Sequence, residues 1–264
     1  MIEVEDLAYV FPDHTVGIYP TNLSLPTNCR ALLVGANGAG KSTLMRVLAG
    51  KTLAKQGRVL IDGQDPFRDG MSGVAYLGSE WASNPTVRRD IPVHLLLESI
   101  GGKVYPDRLE ELIDILDIDI NWRMHAVSDG ERRRVQLAMG LLCPWDTLML
   151  DEVTVDLDVL MRSRFLDYLK KETENRNCQI LYATHIFDGL SQWPTHVVHM
   201  NQGEIVQVMP YSGEDYKEAH HETGNSVLLE TALGWLREDL KARGPRERKQ
   251  TWAEFLNKQS NGNA

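Results

Sequence analysis

The chain has 264 residues, of which 42% are hydrophobic and 25% charged, so it is long enough for one α/β domain with an appendage or for two small domains. A formal net charge of -9 argues against sequence-independent binding to nucleic acid or to anionic lipid. Three cysteines without a C-x-x-C pair argue against a disulfide framework, the acidic start at residues 1–6 is unlike a signal peptide, and no apolar run approaches the roughly 20 residues that span a bilayer.

Residues 1–10 alternate apolar and polar, which predicts an edge strand. Residues 31–34 are a short apolar run ending at glycine and predict a buried strand feeding a turn. A helix is expected over 42–48, with further strands over 58–63 and 73–77. From about Pro92 to Leu142 the apolar spacing becomes helical, as at Leu109, Leu112, Ile113 and Leu116. Strands are predicted at 147–150 and 179–183, separated by a helix over 160–174. Residues 196–200 and 204–208 predict a hairpin around Asn201, Gln202 and Gly203. After Tyr211 the chain is polar until an amphipathic stretch with Leu228, Leu229, Leu233, Trp235 and Leu236. Residues 241–249 are charged, contain Gly-Pro and read as a linker or bend; 259–264 read as disordered. This order of elements predicts a mostly parallel sheet covered by helices.

Gly35-Ala36-Asn37-Gly38-Ala39-Gly40-Lys41-Ser42, followed by Thr43, fits the phosphate-loop pattern G-x-x-x-x-G-K-[ST]. The glycines let successive N–H groups turn toward phosphate oxygens, and the helix that follows adds its positive end. Lys41 would reach the β- and γ-phosphates of ATP, and the Ser42 hydroxyl would sit on Mg²⁺. A metal ligand and a group that orients water are still needed. The apolar run at 147–150 delivers both as Asp151, a Mg²⁺ ligand through water, and Glu152, a general base.

Val127-Ser128-Asp129-Gly130-Glu131, just ahead of that strand, resembles the signature motif of ABC ATPases, usually Leu-Ser-Gly-Gly-Gln. Alone it also reads as a serine N-cap on a basic helix. The resemblance implies an α/β P-loop NTPase fold of ABC ATPase type. That fold has a mostly parallel sheet core, an antiparallel β subdomain, a helical subdomain over about 82–142 and a C-terminal helical tail. Residues 1–210 would form the ATPase domain and 211–264 the tail. It also implies that Ser128, Gly130 and Glu131 contact the γ-phosphate of ATP held by a second chain, in an ATP-dependent homodimer. His185 would be the switch histidine, and Asp156-Leu157-Asp158 a loop touching the opposite subunit. Phe11 falls where the family stacks an aromatic on adenine, with a core phenylalanine as the competing reading. One departure stands out: Ser79 occupies the place of a glutamine that couples transporters to their membrane domains, with Glu80 as a candidate substitute.

Longer stretches, 116–125, 151–158 and 184–190 with Tyr76, Leu77, Gly78, Glu80 and Trp81, resemble the soluble fungal ABC ATPases associated with the carbon-catabolite-repression deadenylase and transcription complex, and plant relatives. That resemblance implies partners in a gene-expression complex and a cytoplasmic location, with the nucleus as a second compartment. A transporter subunit working with separate membrane chains and a non-hydrolysing ATP switch are the other two readings. Arg132, Arg133 and Arg134 read as a solvated face or as contacts near the nucleotide, with direct nucleic-acid binding disfavoured by the acidic whole. Trp235, Trp252 and Phe255 in the tail read as packing on the chain's own sheet or as a grip on a partner.

Overall fold

The computed structural model describes residues 1–68, 72–78, 81, 85–212 and 226–244. Ser79, Glu80, Trp252, Phe255 and the 259–264 terminus lie outside the described residues.

Two sheets carry the fold. A three-stranded antiparallel sheet has the order β2-β1-β4, with β1 Ile2–Val10, β2 Val16–Leu25 and β4 Gln56–Ile61. A six-stranded sheet has the order β5-β6-β7-β3-β8-β9. Its strands are β3 Arg30–Val34, β5 Val74–Leu77, β6 Thr147–Asp151, β7 Gln179–Ala183, β8 His196–Asn201 and β9 Glu204–Pro210. All its pairings are parallel except the β8–β9 hairpin. Long crossovers between parallel strands are what helices provide. Here they are α1 Lys41–Leu48, α2 Val93–Ser99, α3 Pro106–Ile115, α4 Asp129–Leu142 and α5 Val159–Asn175. A last helix, α6 Val227–Arg243, follows the hairpin.

The apolar run of β3 is buried at all five positions because both faces of the sheet are covered. Leu32 and Val34 enter one core with the helices of residues 93–142 and α5. Ala31 and Leu33 enter the other, with α1 and the three-stranded sheet. The same split separates Leu148 and Leu150 from Met149 on β6. Period-two geometry therefore sews two cores onto one sheet.

β1 is not an edge strand. It lies between β2 and β4, with Ile2 opposite both Leu25 and Ile61. Its alternation breaks at Asp6, which has φ 46°, so that Ile2, Val4 and Leu7 all point into the core. Gly57 on β4 faces this irregularity: a Cβ there would lie 2.5 Å from the Leu7 Cα. The edges of this sheet are β2 and β4; β2 carries Pro20, which has no N–H for a ladder, and its pattern does not announce a strand. It is joined to the larger sheet by Tyr19 N–H donating to the Gly203 carbonyl (3.0 Å) and Ile205 N–H donating to Thr21 Oγ1 (2.9 Å).

The 196–208 hairpin forms as expected, with Gln202 and Gly203 at φ 46° and 87°, the positive angles of a type I′ turn. The amphipathic stretch of the tail is α6, which packs on the chain itself: Leu228 and Ala232 are buried in the main core. The expected linker begins later than its composition suggests, since Lys241 to Arg243 close α6 and Gly244, at φ 70°, ends it. No helix among the described residues is long and apolar enough to cross a membrane.

Candidate active site

The phosphate loop leaves the C-terminal end of β3 and enters α1. Its glycines answer to specific neighbours. A Cβ on Gly35 would meet the Met200 carbonyl oxygen at 2.2 Å, so β8 can lie against the loop only if this residue has no side chain. Gly40, at φ 102°, is the N-cap of α1, and no side chain caps the helix. The first N–H groups of α1 are thus left for an anion. The β8–β9 turn braces the loop from below, Gly203 N–H donating to the Ala39 carbonyl at 2.9 Å.

Lys41 Nζ donates to the loop's own carbonyls, Gly35 at 2.7 Å and Ala36 at 3.2 Å. Burial pulls its pKa down, and the carboxylates of Glu152 and Asp151 oppose that. Its ammonium holds the loop in shape and can turn to a phosphate. A cleft of about 380 Å³ opens here, lined by residues 37–43 with Phe11, Val16, Gly17, Asp151 and Glu152. Phe11 is not a core residue. It is 37% exposed at the β1–β2 turn, edge-on to Tyr9 at 5.0 Å, and its ring lies over Gly17 at the mouth of the cleft. That placement suits a flat apolar face such as a base.

Asp151 ends β6, buried at 6% exposure. It accepts a hydrogen bond from Tyr76 Oη at 3.0 Å. Burial, then the Asp151 charge, raises the Tyr76 pKa, which keeps the phenol protonated as a donor. Tyr76 belongs to the site through β5–β6 pairing and was not among the expected site residues. Gly78 makes room for it, since a Cβ there would meet Tyr76 Oη at 2.8 Å. Ser42 and Asp151 line one cleft, and among the described residues no group of three or more metal-binding side chains exists. Two hard oxygen donors beside a phosphate site fit Mg²⁺, which takes few protein ligands and completes its shell with phosphate and water.

Glu152 follows β6 at φ 55°, a left-handed conformation that costs a non-glycine residue about 1 kcal/mol. Its N–H donates to the Ala183 carbonyl (3.0 Å), which ties the turn to β7. The turn sends the carboxylate into the cleft, where Oε2 lies 2.7 Å from His185 Nδ1. His185 is the more exposed partner, at 66% against 26%.

Ser128, Gly130 and Glu131 line neither cleft beside the phosphate loop. They open α4 with a full capping box. Ser128 Oγ accepts from Glu131 N–H at 3.2 Å, and Glu131 Oε2 accepts from Ser128 N–H at 2.7 Å and Oγ at 2.8 Å. These bonds from Ser128 hold the Glu131 carboxyl below its ordinary pKa. Gly130 admits the 155–158 loop, because a Cβ there would lie 2.9 Å from the Asp156 carbonyl.

The three arginines are not a solvated face. Arg132 and Arg133 are each 4% exposed. Arg132 donates to the Met124 and Val127 carbonyls at 3.2 and 2.9 Å and pairs with Asp129 at 2.6 Å. Arg133 joins Asp156 (3.1 Å) to the Gly78 carbonyl (3.2 Å), which also accepts from Gln136 at 2.9 Å. Arg134 lies over the Trp122 ring and pairs with Asp117 at 2.9 Å. The guanidiniums thus bind α4 to its surroundings. Trp235, in the tail, stacks on His199 of β8 with centroids 4.7 Å apart.

Known proteins place this arrangement. The ABC transporter family model matches residues 18–155. The chain is 45% identical to CCR4-associated factor 16 of Saccharomyces cerevisiae, over 90% of this chain and 94% of that one. It is 43% identical to ABC transporter I family member 20 of Arabidopsis thaliana, over 83% and 68%. Among solved structures, the ATP binding subunit of an ABC transporter has a TM-score of 0.72 at 18% identity, covering 89% of this chain and 99% of that one. An ATP-binding cassette in a dimeric post-hydrolysis state bound to ADP and Pi has a TM-score of 0.67 at 17% identity, covering 80% and 98%. With its phosphate loop, buried Asp151 and capped Ser128 helix arranged on this fold, the chain belongs to the ABC family of ATP-binding cassettes.

Proposed function

We propose that the chain hydrolyses MgATP in a head-to-tail dimer and that the opening and closing of the dimer is read by a protein partner. The observation that carries the reading is the division of the site: Lys41, Asp151 and Glu152 share one cleft, while Ser128 stands outside it. One chain supplies half a site. A second copy would bring Ser128 and the N-terminus of α4 to the γ-phosphate.

In this reading the loop N–H groups and Lys41 bind the β- and γ-phosphates and Phe11 takes the base. Ser42 and Asp151 hold Mg²⁺, which neutralises phosphate charge when bound. Glu152 accepts the proton of the attacking water as its oxygen bonds to the γ-phosphorus. The bond from that phosphorus to the β–γ bridging oxygen breaks, giving ADP and inorganic phosphate. His185, in contact with Glu152, holds the carboxylate in line and reaches toward the γ-phosphate. Closure is driven by ATP because only the closed dimer completes the phosphate contacts.

Residues 1–210 would be the ATPase domain, with its helical subdomain at about 82–142, and 211–264 the tail. The likeness to a CCR4-associated factor over nearly its whole length supports a protein partner as the reader of that motion; we place the chain in a deadenylase or transcription complex, in the cytoplasm with the nucleus as a second compartment. The second reading, an ATP-binding subunit serving separate membrane chains, draws on relatives such as the energy-coupling factor transporter ATP-binding protein of Methanothermobacter thermautotrophicus, 28% identical over 78% of this chain. Ser79 in place of the coupling glutamine favours the first. Affinity purification of the Glu152→Gln chain with ATP, followed by mass spectrometry, separates them. Soluble gene-expression subunits support the first, and stoichiometric polytopic membrane proteins overturn it. A turnover assay on the purified chain tests hydrolysis itself, and no phosphate release above that of Lys41→Ala would refute it.

A further inference from the structure

The Glu152 carboxylate and the His185 ring meet at 2.7 Å, yet they come from two different strands. Glu152 follows the end of β6 and His185 follows the end of β7, whose register pairs Leu150 with Tyr182 and Asp151 with Ala183. The Glu152 N–H carries the ladder one step further, to the Ala183 carbonyl. Glu152 itself, at φ 55°, holds a backbone shape that its surroundings must impose.

A chain of buried hydroxyls joins the same two segments. Tyr182 Oη lies 2.5 Å from Thr154 Oγ1, two residues beyond Glu152. Thr184, next to His185, also hydrogen-bonds the Tyr182 hydroxyl, and its own Oγ1 accepts from Ile186 N–H at 3.1 Å. Thr154, Tyr182 and Thr184 are 0%, 1% and 3% exposed. Hydroxyls so deep are tolerated only when bonded, and phenylalanine or valine would fill an apolar core without that demand. The Tyr182 ring packs with Leu150, Val153 and Phe165 in the main core. It also stands edge-on to Trp193, with centroids 5.9 Å apart, and Trp193 is fixed in turn by Nε1 donating to the Leu166 carbonyl at 2.9 Å. Packing thus locks the ring, and the phenol end is spent on the two threonines.

We propose that Tyr182 is a positioning residue for hydrolysis: its hydroxyl, bonded to Thr154 and Thr184, holds the Glu152 turn and the His185 strand end at one spacing, so that carboxylate and imidazole face the γ-phosphate together. The proposal rests on the hydrolysis reading above and adds to it a clamp from inside the core. Tyr182 gives up no proton in the reaction and touches no nucleotide. The phosphate loop is braced from elsewhere, by the Met200 carbonyl and by Gly203 N–H. Loosening the clamp therefore acts on the chemical step and spares ATP binding. Small displacements suffice, since a misplacement of about 1 Å can cost about a hundredfold in rate.

The test compares Tyr182→Phe, Thr154→Val and Thr154→Ser in the full chain. ATP turnover is measured with Mg²⁺ in excess, ATP affinity by calorimetry, and each assay is run well below the thermal transition of its variant. Tyr182→Phe should lower kcat about tenfold while KM and ATP affinity stay within about twofold. Thr154→Val removes the other end of the bond and should do the same, and the double variant should lose little more than either alone. Thr154→Ser restores a hydroxyl and should recover most of the rate lost in Thr154→Val. If Tyr182→Phe does not fold, the comparison of valine with serine at position 154 decides. A folded Tyr182→Phe or Thr154→Val chain with an unchanged kcat would overturn the proposal and leave hydrolysis standing. So would Thr154→Ser as slow as Thr154→Val, or a weakening of ATP affinity as large as the fall in kcat. A parent chain no faster than Lys41→Ala would remove the hydrolysis reading, and the proposal with it.

Discussion

Arg133 offers a quantitative test of how the Ser128 helix is held. Its side chain is 5% exposed and its partner Asp156 is 37% exposed, so the two ends of the pair sit in different surroundings. Arg133→Met keeps the apolar stem and removes the guanidinium. The Gly78 carbonyl retains Gln136 at 2.9 Å, and Asp156 recovers water. The expected loss is about 2 kcal/mol, within the range for hydrogen bonds to charged groups. Asp156→Ala works from the other end and leaves a buried cation with only neutral acceptors. Breaking a buried pair this way costs about 3–5 kcal/mol, and the remaining bonds to Gly78 and Gln136 place this case near the lower figure, about 3 kcal/mol. Removing the exposed partner should thus destabilise more than removing the buried one. Urea denaturation of the two variants and the double variant measures all three, and the double should fall short of the sum by about 1–2 kcal/mol. Equal losses from Arg133→Met and Asp156→Ala, or two losses that simply add, would contradict this picture of the pair.

Gly35→Ala should destabilise the fold by about 3 kcal/mol, because its Cβ meets a backbone oxygen that cannot turn aside. Gly38→Ala, in open space at φ 83°, should cost only about 1–2 kcal/mol of left-handed strain, and a larger loss at Gly38 in the same thermal melts would contradict the packing argument. Thiol labelling of the native chain near neutral pH should modify Cys143 alone, since it is exposed while burial raises Cys29 and Cys178 to about 11 each; rapid labelling of three thiols would contradict the packing. The Glu131 carboxyl is held below its ordinary value, so the capping box should contribute fully above the normal glutamate range and lose its contribution as pH falls through the lowered folded value. The stability difference between the parent and Glu131→Gln should therefore shrink on acidification, and a difference independent of pH would show that the carboxylate is not what holds the cap.

The legible parts of the sequence were those whose pattern and neighbours coincide. The run before Gly35, the carboxylates after residue 150 and the Asn201-Gln202-Gly203 turn each carry local chemistry that permits one structure. What escaped depends on contacts distant in sequence. β1 alternates like an edge strand, yet Asp6 shifts its phase and β4 pairs on its second side. β2 hides behind Pro20 because an edge strand tolerates proline. Three consecutive arginines read as a solvated face or as contacts near the nucleotide, but each finds carbonyls or carboxylates 5 to 55 residues away or beside it in the helix. Tyr76 becomes a site residue only through the parallel register of β5 on β6. Nothing in the spacing of Trp235 and Asp239 reveals that both meet His199 on β8.

Complementation between two broken chains can show whether one ATP site is built from two copies of this chain. Lys41→Ala removes the phosphate grip from one half-site, and Ser128→Arg blocks the other half. Neither chain alone should release phosphate from ATP. In a mixed dimer, the intact phosphate loop of the Ser128→Arg chain faces the intact Ser128 of the Lys41→Ala chain, so one complete site re-forms. Mixing the two purified chains should restore turnover. A mixture as inactive as its components, under conditions where mixed dimers are demonstrated, would contradict the shared site.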